Sequence, residues 1–173
     1  FVFAGLIFSQ NLLSPLVWPA VAAFLIFCGL SGAIYLLNDV ADADKDRLHP
    51  EKRRRPVASG ALPRGIALVA GVLILAGSLV LAFQLSWRFG GVAAAYAVLL
   101  TAYSAWLKRL VIVDVLTVAV GFVLRAIGGA VAIDVDISGW LLICTVLVAL
   151  FLALGKRRHE YLTLHGDAAA HRP

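Results

Sequence analysis

Five apolar stretches dominate this chain: Leu16–Leu37, Ile66–Leu85, Gly91–Leu107, Val111–Ile133 and Ser138–Gly155. Each is roughly 20 residues long, enough for a helix to cross a hydrocarbon layer of about 30 Å. Hydrophobic residues make up 62% of the sequence, against roughly 45–50% in soluble domains. The expected architecture is all-α, a polytopic transmembrane helical bundle forming one domain over residues 1–173. The opening segment FVFAGLIFSQ is apolar but too short to span. It reads as the truncated end of a first span, ahead of five full ones. The absence of methionine and the polar stop at GDAAAHRP suggest a partial chain.

The segments between the runs alternate in charge. Asp39–Arg64 carries seven Lys or Arg, SWRFG one, the next gap Lys108 and Arg109, IDVDIS none, and GKRRHE three. By the positive-inside rule the basic gaps lie in the cytoplasm. The net charge of +5 therefore reads as topology, and no nucleic-acid partner is expected. Three charge-rich segments, Asn38–Arg64, Tyr103–Asp114 and Lys156–Glu160, emerge on one face and can share a site. Cys28 and Cys144 lie within apolar runs and read as small buried hydrophobes.

The first of these segments carries the strongest pattern. Asn38, Asp39, Asp42 and Asp46 read N-D-x-x-D-x-x-x-D. No Gly or Pro interrupts the chain between Ala33 and His49, so the first span continues as helix until Pro50. The three aspartates fall at i, i+3 and i+7 on one stripe, which Asn38 joins, while Asp44 points away. Stacked carboxylates repel unless a cation relieves them. Hard oxygens at this spacing suit Mg2+, held with the phosphate oxygens of a diphosphate. Asp39, Asp42 and Asp46 are the candidate metal and catalytic residues. Lys52, Arg53 and Arg55, in the basic run that follows, are candidate phosphate-binding groups, because arginine grips phosphate through a two-pronged fork.

Other charged positions join them as candidates. Asp114, a fourth catalytic candidate, opens the fourth run, where an unpaired carboxylate is costly. Arg125 lies eleven residues on, on the same helix face, and must meet a polar cavity or a partner. Gly121, Gly128 and Gly129 around it permit close helix packing. Tyr103 and Lys108 stand at a membrane boundary as candidate binding residues or interfacial anchors. Lys156, Arg157 and Glu160 close the fifth run, either as an anchor or as a second phosphate-handling patch.

The N38-D39-x-x-D42-x-x-x-D46 motif resembles that of the UbiA superfamily of intramembrane prenyltransferases. The likeness extends over nearly the whole chain, including Y103-S104…K108. A second Asp-rich motif of many members is replaced here by G155-K156-R157-R158-H159-E160. With HPEKRRRPVASG and GFVLRAIGGAVA, this resembles the decaprenyl-phosphate phosphoribosyltransferase-like branch. The resemblance implies about nine spans, so the C-terminal spans would be missing. It implies Mg2+ at Asp39, Asp42 and Asp46, with phosphoribosyl pyrophosphate as donor and a polyprenyl phosphate as lipid acceptor. The product would serve cell-wall arabinan synthesis.

Two other readings compete. One is UbiA-type transfer of a prenyl group from its diphosphate to an aromatic acceptor. The other is an ion or solute transporter, with Asp114 and Arg125 on the path. The pattern is also compatible with a homo-oligomer. No GxGxxG, Walker, HExxH or GxSxG motif occurs, and the histidines show no zinc spacing.

Overall fold

The computed structural model describes residues 1–105 and 111–170. Seven α-helices run in chain order among them: α1 (Ala4–Phe8), α2 (Val17–Leu48), α3 (Pro56–Ser59), α4 (Arg64–Leu85), α5 (Trp87–Ala105), α6 (Val111–Ala132) and α7 (Gly139–Ala170). The described residues contain no strand. The fold class is the all-helical one expected.

Local chemistry sets the helix ends. Pro19 is tolerated in the first turn of α2, where its missing N–H has no helical partner anyway. That helix continues from apolar into charged sequence without a break and stops at His49, which turns extended ahead of Pro50. Lys45 and Arg47 occupy its last turn, where positive charge complements the helix dipole. Gly60 follows α3 with φ 84°, a left-handed stop open to a residue without Cβ. Ser86 caps α5, its Oγ accepting the Phe89 N–H at 3.0 Å.

The helix α2 is central, packing against α4, α5 and α6. Its aromatic anchor Phe27 meets Phe89 and Tyr96 edge-on, at 5.6 and 5.1 Å between ring centroids. Around this trio the buried surface consists largely of alanines, among them Ala23, Ala33, Ala82 and Ala93. Gly128 sits against the Phe27 ring, and Gly129 against the backbone of Val2. Large residues such as Val69, Leu73, Leu147 and Phe151 point outward. Small inside and large outside is the arrangement of helices solvated by lipid, where close approach rather than oil-drop burial holds neighbours together.

Three helices are long and apolar enough to cross a membrane among the described residues: α2, α4 and Val115–Ala132 of α6. Gly139–Gly155 of α7 is a shorter apolar stretch. The remaining predicted run falls on α5, a continuous helix whose Arg88, Thr101 and Ser104 dilute its hydropathy. Cys28 and Cys144 correct the sequence reading. Both are exposed on outward helix faces, because an apolar residue in such a bundle can face lipid as well as protein.

Element ends meet in pairs. Arg88, in the first turn of α5, lies 3.5 Å from Asp134 after α6. Both are highly exposed, so the pair adds little stability. It does put those two base-poor gaps at one end of the bundle. The far end gathers the close of α2, the start of α4 and the close of α5.

Candidate functional site

The segment after α2 folds back onto it, and two arginines fasten it. Arg47 donates from Nε to the Ala58 carbonyl at 3.0 Å. Arg55 donates from one nitrogen, Nη1, to Asp39 Oδ1 at 2.9 Å and Asp46 Oδ2 at 3.0 Å. Val57 is buried beneath this loop, packed with Ala43 and Ala67. Asp46 is only 5% exposed, so the guanidinium that neutralises it also makes its burial tolerable. Lys52 and Arg53 lie in a short turn and are exposed. Of the basic run, Arg55 is the member turned onto the carboxylate stripe.

The rest of the stripe faces a cavity of about 360 Å³ between α2 and α5. Its polar lining comes from Asn38, Asp42 and Lys45 on α2 and from Thr101 and Ser104 on α5. Lys45 Nζ lies 3.6 Å from Asp42 Oδ1. Ile34 and Leu37 line its apolar part. Tyr103 is half-buried beside Ser104 in the last turn of α5. Asp44 takes the opposite side of α2, as its angle requires, and is held by Arg64, with Nη1 to Oδ2 at 3.1 Å.

The stripe expected as one ligand set is thus divided. Asp39 and Asp46 are bridged by Arg55, whereas Asp42 and Asn38 face the cavity. Among the described residues no group of three or more His, Cys, Asp or Glu side chains is arranged to hold a metal. Magnesium does not demand one. It is usually held by one or two carboxylates plus waters and substrate phosphates. Asp42 and Asn38, which line the same cavity, offer oxygens for a donor set of that kind.

Arg125 lies deeper in the bundle. Its Nε donates to the Tyr96 hydroxyl at 3.0 Å, and Nη2 reaches Tyr96 and, at 3.5 Å, Ser31 Oγ. Its guanidinium carbon lies 5.2 Å from the Tyr96 ring centroid and 5.4 Å from that of Phe122, within cation–π range. Asp114, its partner by helical spacing, is almost three turns away in the first turn of α6. A charge within a span costs at least about 2.5–3.5 kcal/mol on insertion scales. Two neutral hydroxyls and two rings are the partners of Arg125 among the described residues.

Lys108 lies outside the described residues. The side chains of Asp114, Lys156, Arg157 and Glu160 lie outside the described ones as well, although α6 and α7 carry their backbones. Sequence reasoning missed Lys45, Thr101 and Ser104 at the cavity, and Ser31 and Tyr96 around Arg125. A signal existed for Ser31, which precedes Asn38 by seven residues and so shares its face of α2.

The profile of the UbiA prenyltransferase family matches residues 1–173. The chain belongs to this family. As a UbiA-family protein with three membrane-length apolar helices, it is an integral membrane protein. It is 40% identical over 138 residues to a decaprenyl-phosphate phosphoribosyltransferase of Mycolicibacterium smegmatis, covering 80% of this chain and 43% of that protein. Proteins of the same name from Corynebacterium glutamicum and Mycobacterium tuberculosis are 38% and 36% identical. Those matches cover 86% and 83% of this chain, and 45% and 46% of the relatives. The chain therefore spans about half the length of the curated relatives it matches.

Proposed function

We propose that this UbiA-family chain carries the donor-binding site of a Mg2+-dependent membrane transferase. The reaction moves phosphoribose from phosphoribosyl pyrophosphate to a polyprenyl phosphate and releases diphosphate. The observation that carries this reading is Asp42 and Asn38 lining a polar cavity, beside a carboxylate pair already bridged by Arg55. The names of the related proteins support the transferred group and the acceptor. The basic gaps of the sequence favour a cytoplasmic site.

The chemistry is one of positioning and charge. Magnesium, when bound, neutralises charge developing on the leaving diphosphate. Asp42 and Asn38 would supply its protein oxygens. Lys45 and Arg55 balance phosphate charge at the two edges of the stripe, and Arg55 also keeps Asp39 and Asp46 from repelling each other. The acceptor phosphate is anionic at neutral pH, so it attacks the ribose carbon without a dedicated base. Thr101 and Ser104 offer hydroxyls to orient the substrate, an effect that can be large when the reacting atoms are held close. A lipid tail lies along the apolar spans.

The test uses the full-length protein in detergent with labelled phosphoribosyl pyrophosphate. Label is expected to enter lipid only when both Mg2+ and a polyprenyl phosphate are present. Label remaining water-soluble, with prenyl diphosphate consumed against an aromatic acceptor instead, would contradict the reading.

A further inference from the structure

We infer that Arg125 of α6, with Ser31 of α2 and Tyr96 of α5, forms a binding site for a phosphate monoester within the bundle. The inference rests on the transferase reading and adds a second anion site to it. The hydroxyls beside Arg125 do not themselves require its charge. Ser31 Oγ already donates to the Phe27 carbonyl at 2.8 Å, and it shares a hydrogen bond with the Tyr96 hydroxyl at 2.9 Å. Both hydroxyls are therefore satisfied without the guanidinium. No carboxylate of the described residues lies within ion-pair distance of Arg125. A cation held in a span with no carboxylate partner among the described residues suits an incoming anion. Arginine, rather than lysine, matches the two-oxygen face of phosphate.

Position links this cluster to the cavity. Ser31 lies one turn before Ile34, which lines the cavity floor on α2. It lies about 10 Å along the helix from Asn38, at 1.5 Å per residue. Asp42 lies eleven residues beyond Ser31 on α2, about 16 Å along the helix at 1.5 Å per residue, so an anion at Arg125 and a diphosphate at Asp42 occupy separate sites. Two groups have the right chemistry: the 5-phosphate of the donor and the phosphate of the lipid acceptor.

The experiment measures binding of three probes to the full-length protein in detergent: Mg2+ with pyrophosphate, ribose 5-phosphate, and a polyprenyl phosphate. Arg125→Gln is expected to weaken one monoester by about tenfold or more, the scale of a lost charge-assisted hydrogen bond, and to leave Mg2+–pyrophosphate within about twofold. Loss confined to ribose 5-phosphate assigns the site to the donor, and loss confined to the lipid assigns it to the acceptor. Should Arg125→Gln fail to fold, Arg125→Lys serves, since it keeps the charge and loses the fork; a weakening of about threefold or more for the same monoester is expected. Unchanged affinity for both monoesters in the folded variant, or no monoester binding by the wild type, overturns the inference while the Mg2+–pyrophosphate result stands. Wild-type protein that fails to bind Mg2+–pyrophosphate overturns the transferase reading and this inference with it.

Discussion

Asp42→Asn is expected to lower phosphoribosyl transfer by about a hundred- to a thousandfold, the effect of removing one preorganised group from a developing charge. The substitution keeps the size of the side chain and its place on the cavity wall. It removes the negative charge that sits beside Asn38 and Lys45. Asp44→Asn is the internal comparison, two residues away on the same helix. Asp44 points to the far side of α2 and pairs with Arg64 at the surface, where ion pairs contribute little. Its loss is expected to change turnover by less than about threefold. The check is the initial rate of label transfer to lipid by each variant at saturating substrate. Equal damage at both positions would mean that acidity at the end of α2, and not the cavity-facing side chain, is what matters.

The largest stability effect is expected at Gly129. A Cβ there would collide with the Val2 carbonyl oxygen and lie 2.9 Å from its Cα. Both obstacles are backbone, so no side chain can rotate away and the segment before α1 must lift from α6. Gly129→Ala is expected to cost about 1–3 kcal/mol or more, the range for forced overpacking. That lowers the melting midpoint by roughly 2–10 °C. Gly77→Ala, in open space on α4, is expected to be neutral or slightly stabilising, since alanine is the better helix former. Thermal melts of the two variants in detergent, followed by circular dichroism, check the contrast.

Much of the framework was legible because it is written in local patterns. The apolar runs located the long helices, Pro50 located the end of α2, and helical geometry separated Asp44 from Asp42. What escaped depended on contacts between distant segments. Arg55 lies sixteen residues after Asp39, and its place between two aspartates follows from the loop folding back over Val57. Nothing in the KRRR run distinguishes it from its exposed neighbours. Arg125 was matched by spacing to Asp114 on its own helix, but its partners come from α2 and α5. The cysteines were misplaced because apolarity reports burial only where water is the solvent. Gly128 and Gly129 were read correctly, since small residues in a spanning helix serve the same end in many packings.

The central claim is that the carboxylate face at the end of α2 binds a divalent ion and a diphosphate together. The most direct measurement is the thermal shift of the full-length protein with Mg2+ and phosphoribosyl pyrophosphate, separately and combined. A stabilisation that requires both ligands and disappears in Asp42→Asn is the predicted result. An equal shift without Mg2+, or one that survives intact in Asp42→Asn, would contradict the claim.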